Sequence, residues 1–195
     1  MRVIGGSARG RTLKGPPRSR SGRPSAIRPT SDLVRGVIFD MLDAMGAEYG
    51  RVLDLYAGTG ALGIEALSRG DGEADFVEQN PEAVAVIRAN LALTGFEGRA
   101  RIHRMPAAQA AERLPSAPER QPYTLVLSDP PYYDVDAFDA ASRVAASTLV
   151  TDDTVIVVEH QRDVAPPDQL GPFGLYRSRR HGDTVVSIYR QEERP

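Results

Sequence analysis

The chain has 195 residues, 41% of them hydrophobic and 26% charged, which is enough to bury the core of one globular domain. It has no cysteine, which excludes disulfides, thiolate metal sites and cysteine nucleophiles. No apolar run approaches the roughly 18 residues of a membrane span, and the first residues lack the apolar stretch of a secretory signal. The three histidines are scattered. A cytoplasmic protein without a metal site or a membrane contact is therefore expected.

The net charge of −2 hides an asymmetry along the chain. Residues 1–35 carry nine basic side chains and a single acid, Asp32, so the remainder is acidic overall. A basic arm on an acidic body is typical of nucleic-acid binding, although a solvated leader would have the same composition. We divide the chain into a basic arm with a flexible loop, residues 1–29, and a main domain, residues 30–195.

The elements are predicted in chain order from hydrophobic periodicity and from Gly and Pro positions. Residues 1–15 alternate as a short β-hairpin arm, residues 15–29 are rich in loop formers, and a helix follows from about residue 32 to 46. Strands are then predicted at 51–55, 74–78, 101–103, 123–127 and 155–159, helices at 61–68, 81–93, 107–114 and 135–149, and a closing hairpin at 175–179 and 184–189. This alternation predicts an α/β fold with a mostly parallel sheet, covered on both faces and closed by an antiparallel strand.

A glycine-rich turn follows the first predicted strand, at the edge where open α/β sheets bind ligands. Gly58 and Gly60 would let the backbone turn tightly and approach a ligand. Glu78 ends the next strand 20 residues after Gly58, the spacing at which an acid binds ribose hydroxyls. Asp54 precedes the glycines, where a carboxylate would hold an ammonium group and repel a pyrophosphate. The turn therefore favours S-adenosylmethionine over NAD, although turn formation and helix packing alone would also explain its glycines.

A second motif, Asp129-Pro130-Pro131-Tyr132, follows the fourth predicted strand, which neighbours the first in a doubly wound sheet. Its two prolines fix the backbone and remove two N–H donors, so the turn is rigid and presents carbonyls. The Asp129 carboxylate and the Pro130 carbonyl would both accept N–H bonds from the amino group of a base and aim its lone pair at a sulfonium methyl. Tyr132 would stack the base, a contribution of about 1–3 kcal/mol. A plain Pro-Pro turn with a surface tyrosine is the alternative interpretation.

Taken together, these residues resemble the RsmD family of bacterial methyltransferases, which modify N2 of a guanine in 16S rRNA. The similarity covers most of the chain and is carried by Ile4-Gly5-Gly6, Arg9-Gly10-Arg11, Arg28-Pro29-Thr30-Ser31-Asp32, Leu53 to Arg69 and Asp129 to Tyr132. DNA adenine and protein glutamine methyltransferases share motifs of the Asp-Pro-Pro-Tyr type. The N-terminal Ile-Gly-Gly, Arg-Gly-Arg and Arg-Pro-Thr motifs are much more specific.

The resemblance implies a class I, Rossmann-like methyltransferase of seven strands, the last antiparallel, that uses S-adenosylmethionine on the 16S rRNA of a small ribosomal subunit and is expected to be a monomer. By position, the implied cofactor-binding residues are Asp54, Tyr56, Gly58, Gly60, Glu78, Ala107 and Asp129, and the implied catalytic residues are Asp129, Pro130 and Tyr132. The RNA-binding residues would be Arg9, Arg11, Arg28, Thr30, Pro131 and Tyr132. Ala107 stands where many methyltransferases place an acid or amide, so backbone groups would have to recognise the adenine.

Several alternatives remain open. A DNA adenine-N6 or other amino-group methyltransferase shares the second motif, but this chain leaves little room for a separate target-recognition domain. A non-catalytic ribosome-assembly protein would not need Asp54, Glu78 and Asp129, and an NAD-dependent dehydrogenase would not place an acid before the glycines. Finally, the basic cluster of residues 177–181 either contacts RNA or belongs to an exposed hairpin.

Overall fold

A computed structural model describes residues 1–15, 32–115, 120–131 and 137–191. The strands are β1 Arg51–Asp54, β2 Glu73–Val77, β3 Ala100–His103, β4 Tyr123–Ser128, β5 Val150–Gln161, β6 Gln169–Leu170, β7 Phe173–His181 and β8 Thr184–Arg190. The helices are α1 Asp32–Ala44, α2 Ala61–Arg69, α3 Pro81–Thr94, α4 Ala110–Arg113 and α5 Asp139–Ala145. Within these ranges, no helix is both long and apolar enough to cross a membrane.

The strands form a single sheet in the order β3-β2-β1-β4-β5-β8-β7-β6. The five strands from β3 to β5 in this order are parallel, whereas β8 is antiparallel to both of its neighbours. The predicted mostly parallel sheet with an antiparallel closing strand is therefore confirmed. The structure adds an eighth strand, β6, which pairs over Gln169 and Leu170 only. Two residues are too few to show a hydrophobic period, so the sequence pattern could not predict it.

Some predicted helices are shorter in the structure. The segment predicted as a helix at 107–114 is a 3-10 turn, Ala107–Gln109, followed by the single turn of α4. The helix predicted at 135–149 is α5, which ends at Ala145, and residues 132–136 lie outside the described part of the chain. Just beyond α5, the Ser147 side chain donates to the Val144 carbonyl at 2.8 Å and accepts from the Leu149 N–H at 3.2 Å. Such local bonds compete with helix propagation.

Two apolar clusters, one on each face of the sheet, form the core. One packs Val52 and Leu125 of the sheet against α1, α2 and α3, and the other packs Leu53 and Val126 against α4 and α5. Because β1, β2, β4 and β5 are parallel, their carboxyl ends lie together at one edge of the sheet. This edge carries the two motifs that the sequence singled out.

The described part of the basic arm is docked on the helices. Its two ends are joined by bonds such as Leu13 N–H to the Met1 carbonyl at 3.0 Å, and Val3 and Leu13 are buried in the α1–α3 cluster. The fully buried Glu65 carboxylate of α2 accepts from the N–H groups of Ile4 at 2.8 Å and Gly5 at 2.7 Å. The first residues of the arm are therefore a structural part of the domain as well as carriers of positive charge.

Candidate active site

The structure brings the two motifs together on adjacent strands. Asp54 of β1 is aligned with Leu127 of β4, and the Leu55 N–H donates to the Leu127 carbonyl at 2.9 Å. Asp54 ends β1 and Asp129 directly follows β4, so both carboxylates lie at the same edge of the sheet. They are close enough for the charge of Asp129 to raise the pKa of Asp54. The two loops therefore face a common space.

The glycine turn is held in place by Glu78. One carboxylate oxygen of Glu78 accepts from the Gly58 N–H at 2.9 Å, and the other accepts from the Asn80 N–H at 2.7 Å. Gly58 and Gly60 have φ angles of 53° and 79°, a left-handed conformation that L side chains rarely adopt. Because each carboxylate oxygen has a second lone pair, Glu78 can still accept hydroxyl groups of a ribose.

Asp54 is a buried carboxylate at the end of β1. It is 1% exposed, and its Oδ2 accepts from the Gly63 N–H at 3.0 Å. Its Oδ1 is buried and has no hydrogen-bond partner among the described residues. The pKa of Asp54 is raised to about 7, chiefly by burial and also by the charges of Asp129 and Glu78, while the Gly63 bond acts in the opposite direction. An unpaired buried acceptor costs about 1–3 kcal/mol, so Oδ1 fits a ligand that brings a donor or a positive charge.

Gly63 serves packing rather than ligand binding. A Cβ atom at this position would lie 2.4 Å from Cε1 of Phe76 on β2, which is much closer than van der Waals contact. The glycine therefore allows α2 to approach the sheet and its N–H to reach Asp54. This outcome agrees with the helix-packing interpretation of this glycine.

Asn90 is a residue of the site region that the sequence analysis missed. It is fully buried on α3, and its amide nitrogen donates to the Thr59 carbonyl at 2.9 Å and to the Lys14 carbonyl at 3.1 Å. Its side-chain oxygen accepts from the Lys14 N–H at 2.7 Å. Asn90 thus joins the glycine turn to the basic arm. The available signal was a polar residue on the apolar face of α3, three positions after the buried Ile87.

The residues of the second motif differ in their exposure to solvent. Asp129 is half-buried, Pro130 is buried and Pro131 is exposed, whereas Tyr132 lies outside the described residues. Arg28 and Thr30 also lie outside them, so their expected contacts with RNA are not described. Glu159, which was not predicted as a site residue, is a buried acid of β5 one residue beyond the pair Ser128 and Val158. This pairing places Glu159 on the strand beside Asp129.

Tyr56 and Ala107 flank the site on the α4 side of the sheet. Tyr56 is half-buried after β1, and Ala107 is buried at the start of the 3-10 turn that follows β3. Both pack with the cluster that contains Leu53 and Val77. An apolar surface of this kind suits an adenine ring. The positions of Tyr56 and Ala107 are therefore consistent with contact to the cofactor, which stays a prediction.

Arg9 and Arg11 lie away from the glycine turn. Arg9 lies two residues after Ser7, whose N–H donates to the Ser68 carbonyl near the C-terminal end of α2. The Arg11 guanidinium donates to the Leu93 carbonyl at 3.2 Å, near the C-terminal end of α3. At 1.5 Å per residue, the length of α2 separates Arg9 from the turn by about 12 Å. Their contact with RNA stays a prediction, and it would involve a surface away from the carboxylates.

Comparisons with known proteins identify relatives of nearly the whole chain. The family model described as conserved hypothetical protein 95 matches residues 1–190. YlbH of Bacillus subtilis, named as a proposed rRNA methyltransferase, is 34% identical over 98% of this chain and 99% of its own length. Ribosomal RNA small subunit methyltransferase D of Escherichia coli is 29% identical over 98% of this chain and 90% of its own. The solved structure of Escherichia coli yhhF, named as a proposed methyltransferase, superposes with a TM-score of 0.80 over 100% of this chain and 99% of that chain, at 29% identity. The Rossmann-like methyltransferase fold is therefore confirmed.

Proposed function

We propose that this chain, which belongs to the family described as conserved hypothetical protein 95, is an enzyme that methylates the exocyclic N2 amine of a guanine in 16S rRNA. Relatives named as rRNA methyltransferases, which match nearly the whole chain, support an rRNA substrate. The observation that carries the proposal is that Asp54 ends β1, Asp129 directly follows the adjacent strand β4, and the charge of Asp129 raises the pKa of Asp54. The turn that would bind the donor and the turn that would bind the amine would then lie side by side.

The residues around the glycine turn fit S-adenosylmethionine. When bound, this cofactor supplies a methyl group on a positively charged sulfur. The buried Oδ1 atom of Asp54, which has no hydrogen-bond partner among the described residues, would accept an N–H of the ligand's ammonium group. Glu78 would accept the ribose hydroxyls, and the apolar surface that includes Tyr56 and Ala107 would pack against the adenine. A cation in this place also offsets the mutual repulsion of the carboxylates.

The second motif fits an aromatic amine. The lone pair of an exocyclic nitrogen is delocalised into the base, so the amine is a poor nucleophile until its geometry changes. The Asp129 carboxylate and the Pro130 carbonyl would accept its two N–H bonds and hold the nitrogen with its lone pair directed at the donor. Catalysis by positioning and fixed charges of this kind needs no strong base. The Asp129 carboxylate would then accept the proton that the amine releases.

The direct test is transfer of labelled methyl groups to small subunits that lack the modification. Wild-type protein should label the 16S rRNA of these particles and leave duplex DNA unlabelled, while Asp129→Ala should reduce the rate at least a hundredfold. Asp152→Ala, the same substitution at an exposed acid, is the matched control and should retain full activity. Equal labelling by Asp129→Ala and the control would refute the role of Asp129. Labelling of DNA but not rRNA would favour the adenine-N6 alternative.

We propose that the substrate is presented on an assembled or assembling small subunit, and that the enzyme acts as a cytoplasmic monomer. Methylation of intact particles compared with free 16S rRNA tests the first point. Light scattering of the purified protein, which should give the mass of one 21.1 kDa chain, tests the oligomeric state.

A further inference from the structure

The strand β7 carries a concentration of positive charge that the proposed site does not use. Its residues Arg177, Arg179 and Arg180 are exposed, and β7 contains no acidic residue. Among the residues that the structure describes, none of these three guanidinium groups forms an ion pair. The neighbouring Arg162, by contrast, is paired with Asp183 at 3.0 Å. The charge on β7 is therefore available to an external anion.

An aromatic side chain lies within this charged strand. Tyr176 is 40% exposed, and the guanidinium carbon of Arg190 lies 4.1 Å from the centroid of its ring. The guanidinium carbon of Arg177 lies 5.6 Å from the same centroid. Cations beside a partly exposed ring are the combination with which proteins bind the phosphates and stack the bases of single-stranded nucleic acids.

The outer edge of β7 is largely open in the described structure. β6 pairs only with Phe173 and Gly174, and no other described strand pairs with the outer side of β7 beyond them. An open edge could accept a strand from a protein partner, but charged side chains on an edge oppose such pairing. Three arginines that form no ion pair with any described residue favour an anionic polymer instead.

The register of the sheet places this charge level with the proposed site. Ser128 of β4 is aligned with Val158 of β5, and the next residue of β5, Glu159, is aligned through Val186 of β8 with Arg179 of β7. Arg179 therefore lies level with Asp129, which follows Ser128. Three strand spacings separate β4 from β7, or about 14 Å. The carboxyl end of β7 also lies at the same edge of the sheet, because β7 runs in the same direction as β4.

We infer that the β7 edge, defined as Tyr176, Arg177, Arg179, Arg180 and Arg190, binds the backbone of the substrate RNA a few nucleotides from the base that enters the site. The inference rests on the proposed function, which requires RNA to approach this side of the molecule. Phosphate contacts by arginine fix the register of a nucleic acid without reading its sequence. The β7 edge would thus orient the RNA, and the carboxylates would select the amine.

The test replaces Arg177, Arg179 and Arg180 together with glutamine. The matched control replaces Arg88, Arg113 and Arg143, three exposed helical arginines, and removes the same charge. Binding of labelled, protein-free 16S rRNA is measured over a range of salt concentrations. The kcat and KM for methylation of the rRNA in small subunits and the affinity for the cofactor are measured as well. Because each single-strand phosphate contact contributes about 0.7 to the log–log salt slope, that slope should decrease by about 2 in the β7 variant. Its KM for RNA should rise about tenfold, with kcat and cofactor affinity unchanged, and the control should match wild type.

Several results would overturn the inference. One such result is that the β7 variant binds RNA as tightly as the control does. Another is that a variant with lysine at the three positions, which keeps the charge, loses as much affinity as the glutamine variant. Binding that is lost for assembled subunits but retained for free rRNA would indicate a ribosomal protein as the partner. Failure of the proposed function is distinguishable, because it abolishes methyl transfer by wild type, whereas these titrations need no methyl transfer.

Discussion

Asp54→Asn is expected to stabilise the protein above neutral pH, because the wild-type carboxylate is then charged in a buried position. Burial raises the pKa of Asp54 to about 7, with further contributions from the charges of Asp129 and Glu78. The folded protein therefore retains a proton on Asp54 that the unfolded chain releases near the ordinary value of 3.8. The stability associated with this proton is fully present below that ordinary value and is lost as the pH rises to about 7.

The size of the effect follows from the two pKa values. With 3.8 for the unfolded chain and about 7 for the folded protein, the wild type loses about 1.5 kcal/mol by pH 5 and about 4 kcal/mol by pH 8. Asparagine does not titrate, and its amide oxygen can still accept the Gly63 N–H bond. The unfolding free energy of Asp54→Asn relative to wild type should therefore increase by about 2.5 kcal/mol from pH 5 to pH 8.

Urea unfolding of both proteins between pH 5 and pH 8 measures this difference, and Asp75→Asn is the matched control. Asp75 is also buried, but its Oδ2 lies 2.9 Å from Nη2 of Arg51 and its Oδ1 lies 2.6 Å from Nε2 of His103. Burial alone would raise the pKa of Asp75, yet the His103 bond and the Arg51 charge lower it. Asp75 therefore stabilises the fold above its ordinary pKa, and this contribution is lost only in acid. Asp75→Asn should be destabilising at pH 5 and at pH 8.

The raised pKa of Asp54 would be refuted if the difference between Asp54→Asn and wild type stayed constant within about 0.5 kcal/mol over this range. The same substitution also tests the cofactor site. Loss of a charge-assisted hydrogen bond of about 1.5–3 kcal/mol should weaken S-adenosylmethionine binding roughly 10- to 100-fold at pH 8. Titration calorimetry should show wild-type affinity rising from pH 6 to pH 8, because only the ionised carboxylate attracts the ligand's ammonium group.

Three further substitutions test how the site is supported. Gly63→Ala should cost about 1–3 kcal/mol of unfolding free energy through overlap with Phe76, and Phe76→Leu in the same chain should recover part of it. Asn90→Ala should cost about 2–4 kcal/mol, since its three bonds join the arm to the glycine turn, and it should lower cofactor affinity as well. Glu65→Gln should cost about 3 kcal/mol and speed amide exchange at Ile4 and Gly5, which now donate to its carboxylate.

Urea unfolding, calorimetry and exchange measured by NMR check these outcomes. An additive Gly63→Ala, Phe76→Leu pair would show that the two positions do not overlap. Normal cofactor affinity in Asn90→Ala would show that the contact between the arm and the glycine turn does not support cofactor binding. Unchanged amide exchange at Ile4 and Gly5 in Glu65→Gln would show that the arm docks by other contacts.

The sheet and the two motifs were predictable because they depend on local patterns. A buried parallel strand is a short apolar run, and its end is marked by residues such as Asp54, Gly58 and Asp129. Adjacent strands then bring these ends together without knowledge of any side-chain contact. The order of β1 and β4 was predictable for the same reason, since it follows from the winding rules of open α/β sheets.

The support of the site was not predictable because it depends on contacts between distant residues. Asn90 acts through Lys14 and Thr59, which lie 76 and 31 residues away along the chain. The charge of the arm indicated an affinity for anions, but the path of the arm follows from its backbone bonds to the buried Glu65. That path places Arg9 at the far end of α2. Composition alone carries no information about such a path.

Identification of the methylated nucleoside is the decisive test of guanine-N2 methylation by this enzyme. Unmodified small subunits are incubated with the enzyme and S-adenosylmethionine, and their 16S rRNA is digested and mapped by mass spectrometry. We expect a single N2-methylguanosine, formed by wild type and strongly reduced with both Asp54→Asn and Asp129→Ala. A methyl group on any other atom, or the same product at the same rate from both variants, would contradict this expectation.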